Sequence, residues 1–224
     1  PAVCEYTLAR FGVTAEGTNV TYQWYVDEGS DFVPVADGGT YFGATSPVLQ
    51  IFNSVRTMSG YVYHVVVSGC GNSVTSPDAV FTVNTAAEIT QMPQDTTICM
   101  GQDAAFEADA QGTLVTWQWY VNKGTGFIPS VDDSYISGSN TRTLTITNAQ
   151  GSFNNWYFRA TATGICGSPT STNLAVLRVL TPPQVTLQPI GRTLCEGGST
   201  SLQANGRNYL SMHWQVNTGG SWTD

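Results

Sequence analysis

Tyr22-Gln23-Trp24-Tyr25-Val26 returns as Trp117-Gln118-Trp119-Tyr120-Val121 and again as Met212-His213-Trp214-Gln215-Val216. The three tryptophans lie 119 − 24 = 95 and 214 − 119 = 95 residues apart. Alternating polar and apolar neighbours around a tryptophan read as a half-buried β-strand. Recurrence at one fixed offset is the mark of a repeat array. Landmarks outward from this stretch keep the same phase. After each tryptophan come a glycine-containing turn and an aromatic, Phe32, Phe127 and Trp222, again 95 apart. Upstream, Cys4, Cys99 and Cys195 are spaced by 95 and 96, and Cys99-Met100-Gly101 matches Cys195-Glu196-Gly197. Downstream, Ser68-Gly69-Cys70-Gly71 matches Thr163-Gly164-Ile165-Cys166-Gly167 with one inserted residue.

This phase divides the chain into residues 1–86, 87–181 and 182–224. The first division lacks a counterpart of Ile89–Pro93, the stretch that leads into the second and returns as Val185–Pro189 before the third. The third reaches only just beyond its Trp222. The chain therefore reads as an excerpt: one repeat without its opening strand, one complete repeat and the N-terminal part of another.

Composition agrees with strands and turns. Only 11% of residues are charged, where an average soluble domain has about 25%. Thr and aromatics favour a pleated surface, and the 23 glycines and 10 prolines favour its turns. Net charge is −8, and Lys123 is the only lysine beside seven scattered arginines. Binding nucleic acid requires clustered cations against phosphates, so no nucleic-acid partner is expected. No apolar run approaches the roughly 20 residues of a membrane-spanning helix.

Within the complete repeat, Ala104, Phe106, Ala108 and Ala110 alternate with polar residues, as do Leu144 and Ile146 and the run from Tyr157 to Thr163. Together with Thr96–Cys99, Thr116–Val121 and Leu174–Leu180, these are six of an expected seven or so short strands. The expectation is an all-β chain of tandem immunoglobulin-like β-sandwiches. In such domains a buried Trp on the third strand packs against a disulfide between the second and sixth. Phe106 lies 119 − 106 = 13 residues before Trp119, as Phe11 lies 13 before Trp24. Tyr63 and Phe158 occupy the sixth-strand position. Aromatic pairs, Phe11 with Tyr63 and Phe106 with Phe158, thus replace the disulfide. Phe11, Trp24, Tyr63, Phe106, Trp119, Phe158 and Trp214 are the expected core.

The pattern Cys-x-Gly, Tyr-Gln-Trp-x-Val, a glycine turn with an aromatic, Gly60-Tyr61-Val62-Tyr63 and Ser-Gly-x-Cys-Gly resembles the immunoglobulin-like repeats of very large surface proteins from gliding and adherent Bacteroidota. The first repeat departs from it at Cys4-Glu5-Tyr6. The resemblance implies a bacterial cell-surface location, export by the type IX route, and a role in adhesion, motility or filament building. It also implies that Asp95-Thr96-Thr97 is an acceptor for O-glycosylation at Thr96. Asn19-Val20-Thr21 is an Asn-x-Thr sequon.

Five cysteines in an exported chain point to disulfides. Two pairings stand open. One closes each repeat, Cys4–Cys70 and Cys99–Cys166, with Cys195 left over. The other is staggered, Cys4 with Cys166. The second answers a geometric objection: Cys99 and Cys166 belong at opposite ends of one sandwich, well over ~20 Å apart at ~3.3 Å per residue, and a disulfide requires Cα atoms within ~7 Å.

No residues stand out as catalytic, and neither an enzyme activity, a metal nor a cofactor is expected. His64 and His213 fall on the outward face by alternation, where other copies carry Arg159 or glutamines; a catalytic group would not be exchanged so freely. Asp27, Glu28, Asp31 and the pair Asp132-Asp133 read as turn carboxylates rather than as an alternating calcium loop. The outer face carrying Gln23, Tyr25 and His64, and in the second repeat Gln118, Tyr120 and Arg159, is the candidate contact surface. The leading expectation is a stalk or filament segment of a surface adhesin. A ligand-binding module using that outer face is the alternative, and the accessory domains of an enzyme come third. Expected partners are neighbouring repeats, other subunits, or host or surface glycans and proteins.

Overall fold

The structure, a computed structural model, describes residues 1–168, 171 and 173–223. The first repeat runs through β1 (Ala2–Cys4), β2 (Ala9–Gly12), β3 (Thr21–Asp27), β4 (Phe32–Pro34), β5 (Tyr41–Phe42), β6 (Val48–Ile51), β7 (Val62–Gly69), β8 (Asn72–Thr75), β9 (Ala79–Val80) and β10 (Thr82–Asn84). One sheet has the order β4-β3-β7-β8, with β9 also pairing β7, and the opposing sheet is β2-β6-β5. β1 runs parallel to β10.

The second repeat repeats this plan: β11 (Glu88–Gln91), β12 (Thr96–Cys99), β13 (Ala104–Glu107), β14 (Asp109–Gln111), β15 (Thr116–Asn122), β16 (Phe127–Pro129), β17 (Ile136–Ser137), β18 (Thr143–Ile146), β19 (Trp156–Thr163) and β20 (Ala175–Leu180). Its sheets are β12-β20-β19-β15-β16 and β13-β18-β17, with β11 on β14. The strand expected across Ala104–Ala110 is broken at Ala108. Its first half pairs β18 and its second half pairs β11. In β20 Ala175, Val176, Leu177 and Val179 are buried, while Leu180 and, just before the strand, Leu174 are exposed.

The tryptophans anchor both sandwiches in the same way. Trp24 is 3% exposed and Trp119 is 0% exposed. Each indole Nε1 donates to a carbonyl 22 residues on, Trp24 to Ser46 and Trp119 to Thr141, both at 2.9 Å. The aromatic pairs meet as the spacing expects. Phe11 and Tyr63 have ring centroids 4.7 Å apart, and Phe106 and Phe158 have theirs 4.6 Å apart. Burial of such side chains is the main stabilising term, about 1.5–3 kcal/mol for each large one.

Trp214 departs from the expected core: it is 50% exposed. Residues 182–223 form only two short ladders, β21 (Gln184–Leu187) with β22 (Asn205–Arg207), and β23 (Val216–Asn217) with β24 (Trp222–Thr223). No opposing sheet is built there to cover the indole.

By Cα packing the chain forms two compact units. One comprises Pro1–Met92, Ala108–Gln118 and Ala160–Thr172, and the other Pro93–Glu107, Trp119–Arg159 and Asn173–Asp224. The first unit therefore contains the whole first repeat together with one end of the second.

Candidate functional site

Two features outside the cores carry specific side-chain chemistry. The first is the outer face of the tryptophan-bearing sheets. In the first repeat Gln23 Nε2 donates to the carbonyls of Trp24 (2.9 Å) and Val35 (2.8 Å). His64 stands on the outward side of β7, as alternation expects, yet it is not bare. The Phe32 ring lies 3.9 Å from its ring and the Tyr25 ring 5.5 Å. Its Nδ1 is 3.1 Å from Asp78 Oδ1.

The second repeat builds the same cluster around a cation. The Arg159 guanidinium lies 4.5 Å from the Phe127 ring centroid and 5.4 Å from that of Tyr120. Its buried Nε meets no acceptor among the described residues. Lys123 caps the Trp156 ring at 4.5 Å. Gln118 is half-buried, and His213 is exposed in residues 182–223. Thus Phe32 and Phe127, noted in the sequence only as turn markers, fold back over His64 and Arg159. Much of the candidate contact face is occupied by the protein's own rings.

The acidic turns have structural partners. Asp27 Oδ1 accepts from the amides of Gly29 (2.7 Å) and Ser30 (2.8 Å). Asn122 and Asn217 do the same at their turns. Asp132 accepts from the Ser139 and Gly138 amides. The polar Ser139 hydroxyl first, and then the Ser139 amide, hold its carboxyl below the usual range, although that hydroxyl makes no hydrogen bond of good geometry among the described residues. Among the described residues no group of three or more His, Cys, Asp or Glu is placed to hold a metal ion. Thr96 opens β12. Its neighbour Asp95 accepts from the Val176 amide at 2.9 Å, which ties the Asp95-Thr96-Thr97 stretch into the sheet.

The second feature is the end of the second repeat that belongs to the first unit. Cys4 is bonded to Cys166, Cα atoms 5.8 Å apart and 162 residues apart in sequence. Of the two pairings open in the sequence, the structure has the staggered one. The within-repeat bonds Cys4–Cys70 and Cys99–Cys166 do not form, because Cys4 and Cys166 are each other's partners. Cys70, Cys99 and Cys195 are free and exposed.

Around this bond the linker Thr85-Ala86-Ala87 is clasped. The Thr85 amide donates to Thr113 Oγ1 (3.0 Å), and the Thr113 amide donates to the Thr85 carbonyl (3.3 Å). Ala87 is buried with Ala110 and Ala162, flanked by Ile89, Val115 and Trp117. β11 continues from the linker along β14, where Gln111 Nε2 donates to Glu88 Oε2 at 3.0 Å. Two glycines make the room. A Cβ on Gly112 would stand 2.8 Å from the Ala86 carbonyl oxygen, and one on Gly164 3.1 Å from the Ala87 nitrogen.

No protein-family model matches the chain. Endoglucanase C of Cellulomonas fimi is 31% identical over 144 residues, which is 62% of this chain but 12% of that enzyme. Among solved structures, the I-band fragment I67–I69 of titin superposes with a TM-score of 0.56 at 18% identity, covering 80% of this chain and 62% of that one. The two-domain structure of DIP-gamma IG1+IG2 superposes with a TM-score of 0.52 at 12% identity, over 80% and 92% of the respective chains. The chain thus spans less than two thirds of the titin fragment and about an eighth of the curated relative. Identity this low in the structural matches bears on fold alone. Among the described residues no helix is long and apolar enough to cross a membrane. A disulfide on such a fold suits an extracellular or secreted domain, where oxidising conditions keep the bond. The chain is an all-β array of tandem immunoglobulin-like β-sandwiches.

Proposed function

We propose that the chain is a stalk or filament segment of a secreted, repetitive cell-surface adhesin, in which successive sandwiches are tied end to end and none performs catalysis. The observation that carries this reading is the Cys4–Cys166 bond over the clasped Thr85–Ala87 linker. A linker that is hydrogen-bonded, buried and cross-linked has lost the freedom of a flexible tether, whose ends wander with the square root of its length. The likeness of the repeat pattern to Bacteroidota surface repeats supports a bacterial surface location, type IX export and decoration at Thr96. An intact mass above the sequence value, traced to Thr96, tests the last point.

The runner-up, a ligand-binding face, draws on Tyr25, Tyr120 and Arg159. The rings of Phe32 and Phe127 already fill part of that face, which favours the stalk. The two separate in an adhesion assay with purified chain on cells, glycan arrays and matrix proteins. A stalk segment shows no saturable binding, and charge swaps on the outer face leave the adhesion of the whole surface protein intact. Loss of adhesion on replacing Tyr25, Tyr120 or Arg159 would overturn it. The likeness to an endoglucanase favours one further reading, in which these sandwiches are accessory modules of a secreted glycan-degrading enzyme. Retention of the purified chain on insoluble cellulose would support that reading over the stalk.

A further inference from the structure

The same end of the first repeat is built for an occupant it does not hold. Beside Cys70 lies an open groove of about 500 Å³ whose apolar floor is Val13, Ala15, Val20, Val67 and Val74. Shifted by 95 residues, three of these positions are Ala110, Val115 and Ala162, which pack with Ala87 and Ile89 of the linker and β11 in the second repeat, and a fourth is Ala108, buried at the break between β13 and β14.

The features that receive the linker there are present here as well. Gly112 and Gly164, which allow Ala86 and Ala87 to approach, correspond to Gly17 and Gly69. Thr113, which clasps Thr85, corresponds to Thr18. Cys166, which bonds Cys4, corresponds to Cys70. Yet among the described residues no incoming backbone lies against Gly17, and Cys70 is a free, exposed thiol. Residues 14–16, counterparts of β14, belong to no strand, since none of the described residues pairs with them.

We infer that this end of the first repeat is a receptor for another immunoglobulin-like repeat of the same kind joined in series ahead of it. The incoming chain contributes an extended small-residue linker and strand of the Thr85–Gln91 type, which pairs with residues 14–16. It also contributes a cysteine equivalent to Cys4, which bonds Cys70. Backbone pairing supplies the affinity and the groove the choice of small side chains, as in strand addition to a sheet edge. With oxidised glutathione as oxidant the bond forms by exchange. The Cys70 thiolate attacks the glutathione disulfide, releasing one reduced glutathione, and the incoming thiolate displaces the second from the mixed disulfide. Two protein thiols are oxidised to one disulfide, and one glutathione disulfide is reduced to two thiols.

The inference rests on the stalk reading for the nature of the partner, but the two can fail separately, because the Cys4–Cys166 bond does not involve Cys70. The test uses the full chain and an extended chain in which a second copy of residues 1–95 precedes Pro1, so that the added Cys4 stands in register with Cys99. Both are oxidised in a glutathione buffer and mapped without reduction. A link between the added Cys4 and Cys70 is expected. The free-thiol count should then stay at the three of the parent, because the extension adds two cysteines and the new bond removes two thiols. Amide exchange at residues 14–16 should slow about tenfold or more on pairing. Gly69→Ala should suppress the Cys70 link while the Cys4–Cys166 bond forms as before. A Cys70 that stays open to alkylation in the extended chain overturns the inference, as does a link formed with no protection of residues 14–16. Dimers of the parent chain linked through Cys70 would make a second copy the partner and overturn the in-series one.

Discussion

The first two sandwiches share a frame and differ at one buried point and at one end. In the first, Tyr63 reaches Tyr41 with hydroxyls 3.0 Å apart. In the second the equivalent residues are Phe158 and Ile136, both buried, and the place is wholly apolar. At the end, Cys166 is bonded over a clasped linker while Cys70 is free beside an open groove. The shared frame shows what a sandwich of this type requires: an indole with its carbonyl acceptor, an aromatic pair, and matching turn caps. The differences show what is negotiable: whether the core carries a polar pair, and whether the end has a partner.

The widest break in this comparison is at its common centre. Trp119→Ala removes a fully buried indole and strands the Thr141 carbonyl, which should cost about 3–5 kcal/mol in urea denaturation. Trp214→Ala, where the ring is half-exposed, should cost far less. Equal losses would mean that residues 182–223 fold around Trp214.

Next comes the end. Cys166→Ser should lower stability by about 2–5 kcal/mol, the range for a bond closing a long loop, and reductant should have no further effect on that variant. Cys70→Ser should leave the melting curve of the chain unchanged. A Cys70→Ser loss matching that of Cys166→Ser would contradict the pairing.

The polar pair sharpens the comparison through pH. Burial, first among the causes, raises the hydroxyl pKa of both Tyr41 and Tyr63 above the ordinary 10.0. An acid whose pKa is raised on folding stabilises fully below its unfolded value and loses that contribution as pH rises. Stability should therefore fall above about pH 10 as the unfolded tyrosines ionise first. Tyr63→Phe should flatten that slope at a cost of about 0.5–1.5 kcal/mol near neutrality, from the hydrogen bond lost to the half-buried Tyr41 hydroxyl. A slope unchanged by Tyr63→Phe would remove the pair as its source.

The smallest effect belongs to the outer face. Arg159→Gln should cost about 0.5–2 kcal/mol, the worth of a partly desolvated cation over aromatic rings. His64→Gln in the first repeat should cost less, and thermal melts of the two variants check the order.

Much of the frame was legible because it depends on local pattern and phase. Trp24, Trp119, Phe11 and Phe106 lie inward on strands whose alternation is plain, and the 95-residue phase carries each assignment from one copy to the next. Trp214 shows the limit of that logic. Its strand pattern is the same, but a side chain is buried only by a second sheet, and residues 182–223 build none. The outer face was half legible: alternation put His64 and Arg159 outward. It could not show Phe32 and Phe127 turning back over them, because turn residues have no period to read.

Cysteine pairing lay beyond the sequence for a similar reason. Spacing allowed both schemes, and strand geometry argued against bonds within a repeat without excluding them. By itself the sequence determined the 95-residue phase, the sandwich class and the inward aromatics of the first two copies, since these follow from side-chain alternation and hydrophobic burial within one copy. Only the tertiary structure decided that Cys4 meets Cys166, that Ala87 is buried against Ala110 and Ala162, and that the matching groove beside Cys70 stands open. Those contacts join residues far apart in the chain, and their geometry depends on how the backbone of one copy reaches the next.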